Sequence, residues 1–313
     1  MARIVRAKTA MMDIGGLRTG LEGATMQIIR YRTASGAVGT GIDRDGIVSA
    51  LPFASMAELL RTPLEQLRTV TDAARGRVAD VEAVLAPIDG RTEVWASGVT
   101  YLRSRDARTE ESQHERAYNQ VYEAERPELF FKSPAWRAVT GGEPVGIRDD
   151  SDSNVPEPEL CLAINSSCEI VGYLICNDMS SRSIEGENTL YLPQAKSYAG
   201  ACSLSAGIRP AWEIDASNLV ITMAIERAGE TVFHGETSTS KIQRSFADLA
   251  VYLMRAQSFP DGALLSTGAG IVPELSFTLE PGDRVDIAID GLGRLVNEVA
   301  IGVEPFEFLD NRH

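Results

Sequence analysis

Residues 155–178 read VPEPELCLAINSSCEIVGYLICND, an apolar run with Glu157 and Glu159 near its start and Asp178 at its end. The polar SSCE segment divides the run into two stretches of strand composition, residues 159–165 and 171–178. An antiparallel hairpin turning between Cys168 and Glu169 sets Glu159 directly across from Asp178. Side chains alternate along a strand, so Glu157 shares the face of Glu159. The three carboxylates then converge on one patch, and a one-residue error in register would separate them.

Clustered carboxylates repel one another, and an uncompensated buried ion costs several kcal/mol, more than ordinary packing recovers. The cluster must therefore be exposed, protonated, salt-bridged or bound to a cation. An all-oxygen donor set suits Mg²⁺, with Mn²⁺ or Ca²⁺ as alternatives. Acids left in water at strand ends are the rival reading. A second acidic stretch, Asp150-Ser-Asp152-Ser-Asn154, imitates the start of an EF-hand loop. It has Val155 where Gly is needed and Cys161 where Glu is needed, so it reads as a polar loop.

Outward from the hairpin, the chain looks like an ordinary folded protein. Its 313 residues, 44% hydrophobic and 24% charged, suffice for a core without disulfide or metal support. A net charge of -14 without a basic stripe argues against nucleic acid. Cys161, Cys168, Cys176 and Cys202 form no C-x-x-C pair and read as reduced, packed thiols. No export signal or membrane span is expected, and the cytoplasm is the expected compartment.

The segment MQIIRYRTASGAVGTGIDRDGIVSAL reads as short strands broken by glycines. Thr62-Pro63-Leu64-Glu65 resembles a capping box, followed by Leu64, Leu67 and Val70 on one helix face, with Gly76 as the stop. We expect a small N-terminal α/β domain over residues 1–85 and a mainly β domain over 86–313. The charged stretch 104–124 is either a solvated helix or a lid. Residues 245–257 place Phe246, Leu249, Ala250, Leu253 and Met254 at core-helix spacing.

The motifs GVTYLRSR (98–105), PELFFK (127–132), PEPEL (156–160), NDMSSRS (177–183), LPQAKSY (192–198), LLSTG (264–268) and PGDRVDIAIDGLGRLVN (281–297) together resemble the fumarylacetoacetate hydrolase superfamily. That resemblance implies an α+β, mainly β fold, a mixed β-sandwich roll behind a smaller N-terminal domain, assembled as a homodimer or homotetramer. It implies that Glu157, Glu159 and Asp178 hold Mg²⁺, which chelates the carboxylate and 2-oxo oxygen of a small 2-keto acid. Family hydrolases often carry a histidine that activates water; Ser104 stands at that position here, and Thr100 replaces the polar Asn/Asp position. His114, His234 and His313 lie elsewhere. Hydrolysis through a histidine base is therefore disfavoured.

PELFFK, the short step from Glu159 to Asp178 and Lys196 beyond it are similar to the branch of 2-keto-3-deoxy-D-arabinonate and related sugar-acid dehydratases. This implies loss of water from a 2-keto-3-deoxypentonate to give 2,5-dioxopentanoate, in oxidative pentose catabolism. Lys196 and Glu128 are then the expected acid–base residues. Thr267 and Gly268 are expected at the substrate carboxylate, with Arg182, Tyr101 and Lys132 around the pocket. Acylpyruvate or diketo-acid hydrolysis or decarboxylation is the alternative, and a non-catalytic metal-binding protein is the last.

Overall fold

The computed structural model describes residues 26–78, 80–103 and 115–311. Two sheets hold most of the described strands, one of twelve strands and one of five. The hairpin lies inside the larger sheet, with strands Pro158–Ile164 and Ile170–Asp178. Its turn is closed by Asn165, whose side-chain oxygen accepts the backbone N–H groups of Ser167 and Glu169. Cys168 takes a positive φ of 64° there. The pairing differs from the expectation by two residues: Glu159 faces Cys176 rather than Asp178. A slip of two keeps every side chain on its own face, because the strand repeat is two. The acids therefore still converge.

Both faces of the hairpin are covered, which explains an apolar run with little alternation. Leu160, Leu162, Ile164 and Ile175 pack into a core shared with Ile221, Met223, Ile225, Val285 and Ile287 of the five-stranded sheet. Cys161, Ala163, Leu174 and Cys176 face a second core with Ile28, Ile42, Leu60 and Leu67. Each such aliphatic side chain, removed from water, contributes about 1.5–3 kcal/mol. The second core draws on residues 26–67 because strand Met26–Thr33 pairs with Gly207–Pro210, which in turn pairs with the second hairpin strand. Strands from residues 1–85 and 86–313 thus share one sheet.

The helix Leu64–Ala73 forms with Leu67 buried and Leu64 and Val70 partly buried against that core. Its capping differs from the sequence pattern. The Thr62 hydroxyl donates back to Glu58 O, and the carboxylate of Glu169, in the hairpin turn, accepts the Leu64 N–H at 2.9 Å. A tertiary contact replaces the local box. Helix Phe246–Met254 buries Leu249, Ala250 and Leu253 as its spacing requires. In the charged stretch, Glu115–Glu123 is helical, and 104–114 lies outside the described residues. Among the described residues, no helix is long and apolar enough to cross a membrane.

Candidate functional site

Four chain segments reach the same edge of the large sheet. Strand Ala263–Ser266 pairs antiparallel with Pro158–Ile164 and parallel with Glu93–Ala96. Pro158 therefore begins where Asp178, Ser266 and Ala96 end. Glu157, Glu159 and Asp178 continue the hairpin face that carries Cys161 and Cys176, but beyond the apolar layer. One carboxylate oxygen from each lies within 4.8 Å of the other two. Asp178 N–H also donates to Glu157 O at 3.0 Å, locking the two ends of the hairpin together.

Two buried lysines bind the cluster. Lys196 Nζ donates to Glu157 Oε2 at 2.6 Å, Asp178 Oδ2 at 3.1 Å and the Ser180 hydroxyl at 2.6 Å. The Phe130 ring lies 5.4 Å from that ammonium. Lys132 Nζ contacts Asp178 Oδ1 at 2.5 Å and donates to Met179 O and Lys196 O. Two of its donors go to backbone carbonyls, and its charge lies against Asp178. It fastens Asp178 and the backbone of Lys196, and does not line the cleft.

Glu159 differs from its neighbours. It accepts the Ser266 hydroxyl at 2.5 Å and the Gly268 N–H at 2.7 Å, both neutral donors. Burial, then the charges of Asp178 and Glu157, hold its carboxyl well above the ordinary carboxylate range; Ser266 and Lys196 act the other way. With all three ionised, the carboxylates would outnumber the two ammonium groups and leave a net negative charge in a buried site, which is why Glu159 is held towards its neutral form. A divalent cation corrects that imbalance, and three convergent oxygens are hard donors that suit one. The residues present therefore fit a metal ion.

A cleft of about 470 Å³, counting space at its mouth, opens over the carboxylates. Its walls carry Glu128, Lys196, Glu185, Phe130, Val99 and Val272, with Gly268 beside the cluster. Glu128 has room because residue 98 is glycine: a Cβ there would sit 2.1 Å from Glu128 Oε2. Gly268 adopts φ +98°, and a Cβ there would meet the Thr100 hydroxyl at 2.0 Å. That hydroxyl donates to Thr267 O at 2.6 Å, which holds the turn that aims the Gly268 N–H.

The structure thus brings Glu157, Glu159, Asp178, Lys196, Glu128 and Gly268 to one cleft. It places four expected pocket residues just outside. Lys132 lies behind Asp178. Thr267 turns its hydroxyl onto Leu160 O at 2.8 Å. Arg182 clamps Pro273 O and Glu274 O at 3.0 and 2.9 Å, fixing the loop that presents Val272. Tyr101 is buried and bridges to Ile242, and burial raises its phenol well above its ordinary value. His234 is exposed, while Ser104, His114 and His313 lie outside the described residues. Sequence reading passed over Glu185, Ser180 and Ser266. Ser180 and Ser266 are small residues in strand context and carry no local signal. Glu185 had one: it lies three residues after Arg182, on the same face of a short helix capped by Ser181.

The chain belongs to the fumarylacetoacetate hydrolase family: the model of the fumarylacetoacetate (FAA) hydrolase C-terminal region matches residues 93–300. It is 44% identical to a probable 2-keto-3-deoxyxylonate dehydratase of Haloferax volcanii, over 79% of this chain and 86% of that protein. It is 36% identical to a 2-dehydro-3-deoxy-D-arabinonate dehydratase of Saccharolobus solfataricus, over 82% and 88% of the two chains. A solved 2-keto-3-deoxy-D-arabinonate dehydratase complexed with magnesium and 2,5-dioxopentanoate superposes with a TM-score of 0.76 at 32% identity, covering 88% of this chain and 99% of that one.

Proposed function

We propose that this protein is a hydro-lyase that dehydrates a 2-keto-3-deoxypentonate to 2,5-dioxopentanoate, with Mg²⁺ as its cofactor. The observation that carries the reading is the cleft itself: three convergent carboxylates with Lys196 and Glu128 on the walls and no described histidine. The names of the two relatives above, each covering more than three quarters of this chain, supply the substrate class.

Glu157, Glu159 and Asp178 would hold the ion. When bound, it supplies Lewis acidity that orients the substrate's carboxylate and 2-oxo group and acidifies the adjacent C3–H. Lys196 would accept the C3 proton as its neutral amine, a form that a cation held on the same carboxylates would favour by repelling the ammonium. Glu128 is placed to protonate the departing C4 hydroxyl. The C3–H electrons become the C3=C4 bond as the C4–O bond breaks, and water leaves. Phe130, Val99 and Val272 add apolar wall beside these groups, which would limit competing attack by solvent.

Incubation of the purified protein with Mg²⁺ and the stereoisomeric 2-keto-3-deoxypentonates tests this reading. The expected product is 2,5-dioxopentanoate from at least one isomer. Turnover of acylpyruvates with no product from any pentonate would overturn it.

A further inference from the structure

Loss of water across C3 and C4 does not by itself yield the proposed product. It leaves 5-hydroxy-2-oxopent-3-enoate, an enone that still carries a primary alcohol at C5. Conversion to the aldehyde needs no external oxidant. A base removes a C5 proton, its electrons form a C4=C5 bond, and the C3=C4 electrons shift so that C3 takes up a proton. The resulting enol loses its O–H proton as C4 gains one. C5 is oxidised and C3–C4 reduced within one molecule. The sequence therefore also needs a proton acceptor that reaches C5.

The cleft contains one further group for that task. Its described ionisable side chains outside the carboxylate triad are Lys196, Glu128 and Glu185. The hydroxyls nearby are committed: Ser97 to Glu128 O, Ser266 to Glu159 and Ser180 to Asp178 O. Glu185 is 6% exposed and is one of the residues that line the cleft. Its helix, Arg182–Glu187, packs against Leu192–Lys196, which carries Lys196. The helix is held rigidly by the Arg182 clamp on Pro273 and Glu274. A carboxylate on that helix, in the wall of the same cleft as the triad and Lys196, is a group that proton transfer beyond C4 could use.

We propose that Glu185 is a catalytic residue for the second half of the reaction, accepting the C5 proton that turns the enone into the aldehyde. This rests on the dehydratase reading. The test follows both products of Mg²⁺-loaded Glu185→Gln with the 2-keto-3-deoxypentonate that the wild type turns over. Aldehyde formation is expected to fall about 100-fold or more, the usual worth of a general base. The conjugated enone should accumulate in its place, visible by its ultraviolet absorption. Glu185→Asp keeps a carboxylate and should recover part of the aldehyde; it also stands in if the glutamine variant does not fold. Wild-type aldehyde production by Glu185→Gln, or equal loss of enone and aldehyde in both variants, would overturn the proposal. A wild-type protein that forms neither product would instead sink the dehydratase reading.

Discussion

Two buried carboxylates flank the strand Ala263–Ser266, and they have opposite electrostatics. Just before the strand, Asp261 is gripped by Arg61 and Arg91, with Arg61 Nη2 at 2.7 Å and Arg91 Nε at 3.1 Å. These guanidinium groups hold its carboxyl below the usual range, with the Arg91 hydrogen bond the largest influence. At the other end, Glu159 takes hydrogen bonds from Ser266 and Gly268 and faces two more carboxylates, which with burial hold its carboxyl high. Neither carboxylate is open to solvent, but Glu159 lies much deeper and its partners differ. Asp261 has its counter-charge within the chain and ties three segments together. Glu159 has neutral hydrogen-bond donors and feels Lys196 only at a distance, and that deficit is what a cation would fill.

If the deficit is functional, Glu157→Gln should cause the largest change. Activity should fall by at least about 100-fold, and the rise in melting temperature on adding Mg²⁺ should vanish with it. Full activity in this variant would remove Glu157 from the ligand set. Lys196→Ala should lower kcat by about 100- to 10,000-fold while the Mg²⁺-dependent rise in melting temperature persists. Normal turnover would exclude a catalytic role for that lysine.

Lys132→Met probes the support behind the site. It removes one of the two buried ammonium groups that hold Asp178, leaving Lys196 alone, and should cost about 3–5 kcal/mol in urea unfolding. A loss under 1 kcal/mol, by that same rough scale, would mean that Lys132 does not balance the Asp178 charge. At the other end of the strand, Asp261→Asn should cost only about 1–2 kcal/mol, because its arginines are largely solvated, and should leave kcat unchanged.

The smallest effect is in pH dependence, and the two acids should differ in sign. Asp261 is depressed in the folded state, so its contribution is present above the unfolded value of about 3.9 and is lost as pH falls through the folded value. Glu159 is raised, so its contribution is present below about 4.3 and is lost as pH rises through the folded value. A cation requires the ionised carboxylate, so the Mg²⁺-induced rise in melting temperature should grow with pH. A pH-independent rise would remove Glu159 from the metal site.

Much of this was legible before any coordinates. The composition of residues 155–178 implied a hairpin with acids at its ends, and the faces survived a two-residue error in pairing because the strand repeat is two. Lys196 and Glu128 were found through motif spacing that resembles the family. The four expected residues that do not line the cleft share one feature. Lys132, Thr267, Arg182 and Tyr101 lie near the site in sequence, but which way a side chain turns depends on carbonyls from distant segments: Met179, Leu160, Pro273 and Glu274. The Leu64–Ala73 helix shows the same effect, since Glu169, far along the chain, displaced the local capping box.

Sequence by itself determined the strands, the acidic triad and the family, because these depend on residue type and short-range periodicity. Tertiary structure alone decided which lysine faces the cleft and which stands behind Asp178, and that Glu185 joins the wall. The reason is physical: a buried charge settles where its hydrogen bonds can be completed, and most of those partners come from elsewhere in the chain.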